Sequence, residues 1–86
     1  MSYTLGFAPD AQSQWQSLPV PLQEAALDEA DRLAIDPPRQ GEHVAEVVID
    51  EGAVRHYTFV HVLIDHARRK LTVVGVGYVR RDPAGK

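Results

Sequence analysis

The spacing of apolar residues changes from a helical to a strand period near residue 44, and this change limits the folds open to the chain. Before it, leucines and alanines recur every three or four residues, which predicts an amphipathic helix over residues 21–36. After it, apolar and polar residues alternate, which predicts three strands over residues 44–50, 54–65 and 71–80. Turns over 51–53 and 65–70 separate these strands, so we expect an antiparallel meander.

The residues before the long helix predict one strand and one short helix. An alternating run over 3–7 predicts the strand, and a Pro-Asp pair after it suits the start of a helix over 10–18. A Pro-Val-Pro sequence then separates this helix from the next, giving an αα-hairpin. Helices and strands in separate runs indicate an α+β domain, with the helical hairpin packed on one face of a mostly antiparallel sheet.

The length and composition restrict the number of domains and the kinds of site. With 86 residues we expect one domain over 1–86, its last residues, 82–86, forming a flexible tail. The absence of cysteine excludes disulfides, thiolate metal sites and cysteine nucleophiles. Strand alternation places His56 and His61 on opposite faces, which argues against a metal site, and we expect neither metal nor cofactor. The sequence has no signal peptide or membrane span, so we expect a cytoplasmic location.

The charges of the chain are divided between its two halves. Residues 1–54 hold ten acidic and two basic residues, a net charge of −8, whereas residues 55–86 hold seven basic and two acidic residues, a net charge of +5. The overall net charge of −3 argues against a general nucleic-acid binder. The basic half can still form a face that attracts phosphate. A solvated surface on which the charges merely segregate is the alternative.

Alternation also assigns the strand residues to two faces. The aliphatic positions must face the helices, and they are Val60, Val62, Ile64, Leu71, Val73 and Val79. On this pattern Gly75 and Gly77 also lie on the helix side, where a helix backbone can approach closely. The opposite, open face then collects Glu46, Arg55, Tyr57, Phe59, His61, Tyr78 and Arg80.

This open face has the residue types that an RNA-cleaving site requires. We expect Tyr57 to pair with Tyr78, and Arg55 with Arg80, across neighbouring strands. Arginines bind phosphate, aromatic rings stack on bases, and carboxylate, imidazole and phenol groups move protons. A charged outer face that keeps a sheet hydrated, or a dimer interface, would have a similar composition.

Three segments carry a resemblance to a known family. They are Tyr3-Thr4-Leu5-Gly6-Phe7-Ala8-Pro9-Asp10-Ala11, the hairpin from Leu18-Pro19 through Leu22 to Leu33-Ala34-Ile35-Asp36-Pro37, and the last strand with Val74, Val76-Gly77-Tyr78 and Arg80-Arg81. They resemble the opening strand, the helical hairpin and the final strand of the RelE/ParE superfamily, the toxins of type II toxin–antitoxin pairs. The resemblance implies this fold over nearly the whole chain. It implies either ribosome-dependent mRNA cleavage, as in the RelE and YoeB branches, or DNA gyrase inhibition, as in the ParE branch.

The resemblance also implies a site near the last strand. Arg55, Tyr78 and Arg80 match the family's site in position and type, and Glu46 matches the YoeB-like base by its strand and face. The chain departs from the family in three places. Its second strand lacks the lysine pair of RelE, Tyr78 stands where a histidine is usual, and the tail over 82–86 lacks a terminal tyrosine.

The chemistry of RNA cleavage assigns roles to these residues. Attack by a 2′-hydroxyl needs a base, cations for the phosphorane charge, and an acid for the leaving oxygen, without a metal. We expect Glu46 or His61 as the base, Arg55 and Arg80 as the cations, and Tyr78 as the acid or a stacking platform. Further residues expected to bind nucleic acid are Arg68, Arg69, Lys70 and Arg81.

Three functions therefore stay open at the level of sequence. The first is a toxin that cleaves ribosome-bound mRNA as an endoribonuclease, an mRNA interferase. The second is a gyrase inhibitor without enzymatic activity, and the third is an attenuated member that only binds an antitoxin. The expected partners are a cognate antitoxin, drawn as an acidic segment to residues 55–86, and the ribosome with its mRNA, or gyrase in the alternative. A homodimer also stays open, and no membrane partner is expected.

Overall fold

The computed structural model describes residues 2–82 and contains two helices and four strands. In chain order the elements are β1 (Thr4–Phe7), α1 (Pro9–Gln16), α2 (Val20–Ile35), β2 (Glu42–Glu51), β3 (Val54–Asp65) and β4 (Lys70–Arg81). The predicted order of elements and the α+β class are confirmed. Of the expected tail only Asp82 is described, and the rest lies outside the described residues. Within 2–82, no helix is long and apolar enough to cross a membrane.

The strands form one mixed sheet in the order β1-β4-β3-β2. β2, β3 and β4 are the predicted antiparallel meander, and β1 pairs in parallel with β4. The turn between β2 and β3 contains Gly52 with a φ of 61°, a left-handed conformation that glycine adopts without strain. This turn brings Asp50 opposite Arg55.

The two helices pack on one face of the sheet, as predicted. Gln23 fixes the corner between them: its side-chain amide donates hydrogen bonds to the carbonyls of Gln16 and Leu18, each at 2.9 Å. The indole Nε1 of Trp15 donates in turn to the Gln23 carbonyl at 2.9 Å. The buried core between helices and sheet includes Leu22, Ala26, Ala30, Leu33, Val60, Val62, Ile64, Leu71 and Val73. Burial of these aliphatic side chains is the main stabilising contribution.

A β-bulge in β4 reverses the predicted faces for the second half of that strand. His61 pairs with Gly75 and Val62 pairs with Val73, so Val74 is an extra residue without a partner on β3. Because side chains alternate with a period of two, one extra residue moves every later side chain to the other face. The predicted faces therefore hold for Leu71 and Val73 and fail from Gly75 onward.

The bulge corrects several expectations. Tyr57 pairs with Val79 rather than with Tyr78, and Arg55 pairs with Arg81 rather than with Arg80. Val79, expected in the core, is 45% exposed. Gly75 and Gly77, expected beneath a helix, lie on the open face, where an added Cβ would meet only the side chains of His61 and Phe59 respectively.

Candidate nucleic-acid interface

The open face of the sheet presents three successive cross-strand rows of side chains near the β2–β3 turn. The rows are Asp50–Arg55–Arg81, then Val48–Tyr57–Val79, then Glu46–Phe59–Gly77, each written from β2 through β3 to β4. Neighbouring rows are about 7 Å apart along the strands. Two adjoining depressions cover this region and share Tyr57 and Arg81 in their linings. We call these three rows the open-face site.

Arg55 is held by a two-pronged ion pair within the first row. Its Nε donates to Oδ1 of Asp50 at 2.6 Å and its Nη2 donates to Oδ2 at 3.2 Å. The hydrogen bond with Asp50, followed by the influence of the nearby Tyr57 hydroxyl, raises the pKa of Arg55. The same hydrogen bond lowers the pKa of Asp50. Both side chains are more than half exposed, so the pair is weak enough for a phosphate to compete with it.

Arg81 lies directly across from Arg55 in the register of β3 and β4. Among the residues that the structure describes, no carboxylate lies within 4.0 Å of its guanidinium. Two like charges that face each other across a sheet repel, and Asp50 neutralises only one of them. The pair therefore forms a cationic end of the face that an anion would stabilise.

Glu46 provides a carboxylate on the same face. It is exposed, lies opposite Phe59, and borders one of the two depressions together with Tyr57 and Arg81. Along the strands it lies about 13 Å from the arginine row, with the row of Tyr57 between them. Long side chains extending from both rows can reach a group bound above Tyr57. The pairing with Phe59 places Glu46 on the open face, as the sequence predicts.

His61 is on the open face as predicted but is too far along the sheet to join the arginines. It lies about 20 Å from Arg55 along β3, and its Nε2 is hydrogen-bonded to Oε2 of Glu42. Of the two residues expected as the base, Glu46 lies in the open-face site and His61 does not. Within residues 2–82, no three His, Asp or Glu residues are grouped to hold a metal ion.

Tyr78 and Arg80 do not belong to the open-face site, which corrects their predicted placement beside Arg55. The Tyr78 hydroxyl is 2.7 Å from Nδ1 of the buried His56 on the helix side of the sheet, and the two rings stack. Nε2 of His56 is in turn 3.0 Å from a carboxylate oxygen of Glu51. Arg80 pairs with Asp82 at 3.2 Å. The extra residue in β4 is the cause, because it turns both side chains away from the open face.

The basic turn between β3 and β4 is a separate feature. Arg68, Arg69 and Lys70, expected to bind nucleic acid, lie at the opposite end of β4 from Arg81, about 36 Å away along the strand. The Arg68 guanidinium lies 3.8 Å from the Asp65 carboxylate within the same turn. The structure therefore brings Arg81 to the open-face site but leaves the other three cations at a distance.

Sequence reasoning misses the role of Tyr57 and the position of Arg81. The sequence places Tyr57 on the open face, as observed, but without a catalytic role, and it predicts that Arg81 binds nucleic acid but not that it faces Arg55. The bulge that brings Arg81 outward had one indication in the sequence: the glycines at 75 and 77, since a glycine inside a strand often marks a bulge. That signal does not say which residue is the extra one.

The two-helix layer on a four-stranded mixed sheet is a small α+β fold of the RelE-like class. The chain matches a free-state E. coli RelE toxin with two arginine-to-alanine substitutions at a TM-score of 0.69, with 16% identity, covering 90% of this chain and 83% of that one. It matches the RelBE2 toxin–antitoxin complex of Mycobacterium tuberculosis at 0.65, with 20% identity over 92% and 93% of the two chains.

The intact RelBE toxin–antitoxin complex of E. coli gives a TM-score of 0.66 at 16% identity, over 93% of this chain and 100% of that one. No protein-family model matches the chain, and no curated protein matches it in sequence. At these identities the similarity establishes the fold. The RelE-like fold implied by the three sequence segments is therefore confirmed.

Proposed function

We propose that this chain is the toxin of a toxin–antitoxin pair and cleaves ribosome-bound mRNA without a metal ion. The observation that carries the proposal is the cross-strand pair of Arg55 and Arg81 on the same open face as Glu46, with Tyr57 between them. The similarity to solved RelE toxins supports the same class of activity. This arrangement supplies every group that phosphodiester cleavage by a 2′-hydroxyl requires.

The proposed reaction is an internal transfer at phosphorus. The Glu46 carboxylate takes the proton of the 2′-hydroxyl, whose oxygen forms a bond to phosphorus while the bond from phosphorus to the 5′-oxygen breaks. The 5′-oxygen takes a proton from the Tyr57 hydroxyl, leaving a 2′,3′-cyclic phosphate and a 5′-hydroxyl end. Arg55 and Arg81 stabilise the extra negative charge of the pentacoordinate phosphorane, which exceeds that of the ground state.

Asp50 has a distinct part in this proposal. It holds the Arg55 guanidinium at a fixed place on the face while no RNA is bound. An incoming phosphate must share or replace these hydrogen bonds, so Asp50 positions Arg55 and at the same time weakens ground-state binding. The ribosome, which supplies mRNA in a fixed path, would compensate for this weak binding.

The proposed partner is an antitoxin with an acidic, amphipathic segment. The open face carries exposed apolar side chains between its cationic ends, namely Val44, Val48, Phe59, Leu63 and Val79. Such a face suits a segment that covers the apolar strip and pairs its acids with the arginines. Two of the similar solved structures are toxin–antitoxin complexes, which supports this partner.

The test compares two assays on the same purified protein. Primer extension on ribosome-bound mRNA should show cleavage, which Glu46→Gln should lower roughly 10²- to 10⁴-fold by removing the base. Glu24→Gln, the same change on the exposed face of α2, is the control and should cleave normally. Inhibition of gyrase supercoiling with no mRNA cleavage would contradict the proposal and favour the gyrase alternative. Binding of the antitoxin with neither activity would favour an attenuated member.

A further inference from the structure

Two glycines, Gly75 and Gly77, lie on the open face of β4 and follow the bulge at Val74. Gly75 and Gly77 have negative φ values, since only Gly52 among the described glycines has a positive one, so backbone conformation does not demand glycine at either position. A Cβ at Gly75 would lie 3.7 Å from His61 Cβ, and a Cβ at Gly77 would lie 3.8 Å from the Phe59 ring, both ordinary contacts. Glycine inside a strand weakens it. Neither backbone conformation nor steric contact within the described residues therefore requires glycine at these two positions.

The missing side chains leave a slot beside Phe59. Phe59 and His61 lie on β3, directly opposite Gly77 and Gly75, so β4 presents no side chain opposite either ring. Phe59 is 36% exposed although it is a large apolar residue. The floor of the slot is bare backbone, which a flat group can approach closely.

The charges around the slot indicate which way a ligand would lie in it. On the β2 side, the slot is bordered by the carboxylates of Glu42 and Glu46, which lie beside His61 and Phe59. On the β4 side, the strand runs from Gly77 to Arg81 on the same face, over about 13 Å. A phosphate backbone is repelled from the first side and attracted along the second.

We propose that the slot holds one unpaired base of single-stranded RNA, stacked on Phe59 above Gly77, with its phosphate backbone over β4 leading to Arg81. This inference rests on the proposed function for the class of ligand, and it adds how that ligand is held. Only an unpaired base exposes a face for stacking, so the slot selects single-stranded over duplex RNA. The stacked base is a neighbour of the scissile phosphate, which the open-face site would bind at Arg55 and Arg81.

A short single-stranded RNA carrying one 2-aminopurine, whose fluorescence falls when it stacks, tests the slot directly. Wild-type protein should quench it. Gly77→Val fills the slot and Phe59→Leu removes the ring, so each should weaken binding roughly 5- to 100-fold and abolish the quenching. Gly6→Val is the matched control: it makes the same change on the open face, with nothing within 4 Å, on the edge strand β1 opposite Thr72. Valine suits a strand, so thermal unfolding should show both glycine variants folded.

The experiments distinguish a wrong assignment of the slot from a wrong assignment of the cleavage activity. Equal binding and quenching by wild type and Gly77→Val would overturn the slot, even if the protein cleaves mRNA. Quenching that depends on Gly77 and Phe59, in a protein that does not cleave ribosome-bound mRNA, would support the slot and overturn the cleavage. If Gly77→Val weakens binding of the purified antitoxin but not of the RNA, the surface at Gly77 binds a protein partner and the inference is wrong.

Discussion

Arg55 and Arg81 face each other across two paired strands, an arrangement that costs free energy in an isolated sheet. Asp50 offsets the repulsion at one of the two guanidinium groups only. Both arginines are exposed, so neither contributes to the core. The pair is therefore better explained by binding of an anion than by stability of the fold.

At the residue scale, the first prediction concerns Arg81. Arg81→Ala should lower cleavage of ribosome-bound mRNA roughly 10²- to 10³-fold, because it removes a cation that stabilises the phosphorane. The melting temperature should stay the same or rise slightly, since the substitution relieves repulsion with Arg55 on an exposed surface. Primer extension and thermal unfolding measure the two effects.

The neighbouring residue provides the control for this prediction. Arg80 has the same side chain, but it faces the other way and pairs with Asp82. Arg80→Ala should cleave as wild type does. A larger loss in Arg80→Ala than in Arg81→Ala would show that the open-face site has been assigned to the wrong arginine.

A second prediction at this scale follows from the lowered pKa of Asp50. The Arg55 hydrogen bond lowers this pKa, so the pair stabilises the fold above the ordinary aspartate pKa of about 3.9 and loses its contribution as the pH falls through the lowered value. Asp50→Asn lacks this contribution at every pH. The difference in melting temperature between wild type and Asp50→Asn should therefore be present at neutral pH and shrink below about pH 4.

The same variant should bind RNA more tightly at neutral pH. Releasing Arg55 from an exposed ion pair is expected to strengthen binding by up to roughly fivefold. Asp28→Asn removes the same charge from the exposed face of α2 and should leave binding unchanged. Equal tightening in both variants would mean that net charge, rather than competition for Arg55, limits binding.

At the scale of elements, the bulge in β4 determines which side chains form the site. Deleting Val74, the extra residue, makes β4 a regular strand while Gly75, Gly77 and Arg81 keep their faces. The deletion variant should fold and cleave mRNA, and its cleavage should still depend on Arg81. Primer extension with Arg81→Ala and Arg80→Ala in the deletion background measures that dependence. If cleavage by the deletion variant depends on Arg80 instead of Arg81, the extra residue of the bulge is not Val74.

The sequence predicted the elements well because their periods are strong and continuous. Leu22 and Ala26 in α2, and Val60 and Val62 in β3, lie on the buried faces that their spacing indicates. The same rule failed beyond Val74, because alternation counts residues and carries no information about a residue without a partner. Register is a property of two strands together, so the rows that form the site could not be read from either strand alone.

At the scale of the whole molecule, charge is distributed along an elongated body. The molecule measures 49 × 23 × 18 Å, and its long axis is consistent with the twelve-residue strands β3 and β4. One end of this hairpin carries Arg55 and Arg81, and the other carries the basic turn, residues 68–70. The exposed face of α2 is acidic. A partner attracted by charge is therefore directed to the sheet and away from that helix.

This distribution gives a prediction for the antitoxin complex. The complex with the proposed antitoxin should weaken as salt is raised, because its acidic segment pairs with exposed arginines. Arg81→Glu should weaken the complex and reduce its salt dependence, whereas Asp28→Asn should do neither. Isothermal titration at low and high salt measures both. If the affinity changes neither with salt nor in Arg81→Glu, the antitoxin binds another surface.

The position of β4 in the sheet has a consequence for synthesis. Within residues 2–82, β4 is the last of the six elements, yet it lies between β1 and β3 in the sheet. Until it has left the ribosome, β1 has no strand to pair with, and the helices cover only part of their sheet. The contacts that close the fold join the two ends of the domain, so folding must wait for translation through Arg81 and is slowed by that distance along the chain. A nascent chain released early would therefore expose its apolar helix faces and lack both a complete core and an assembled arginine pair.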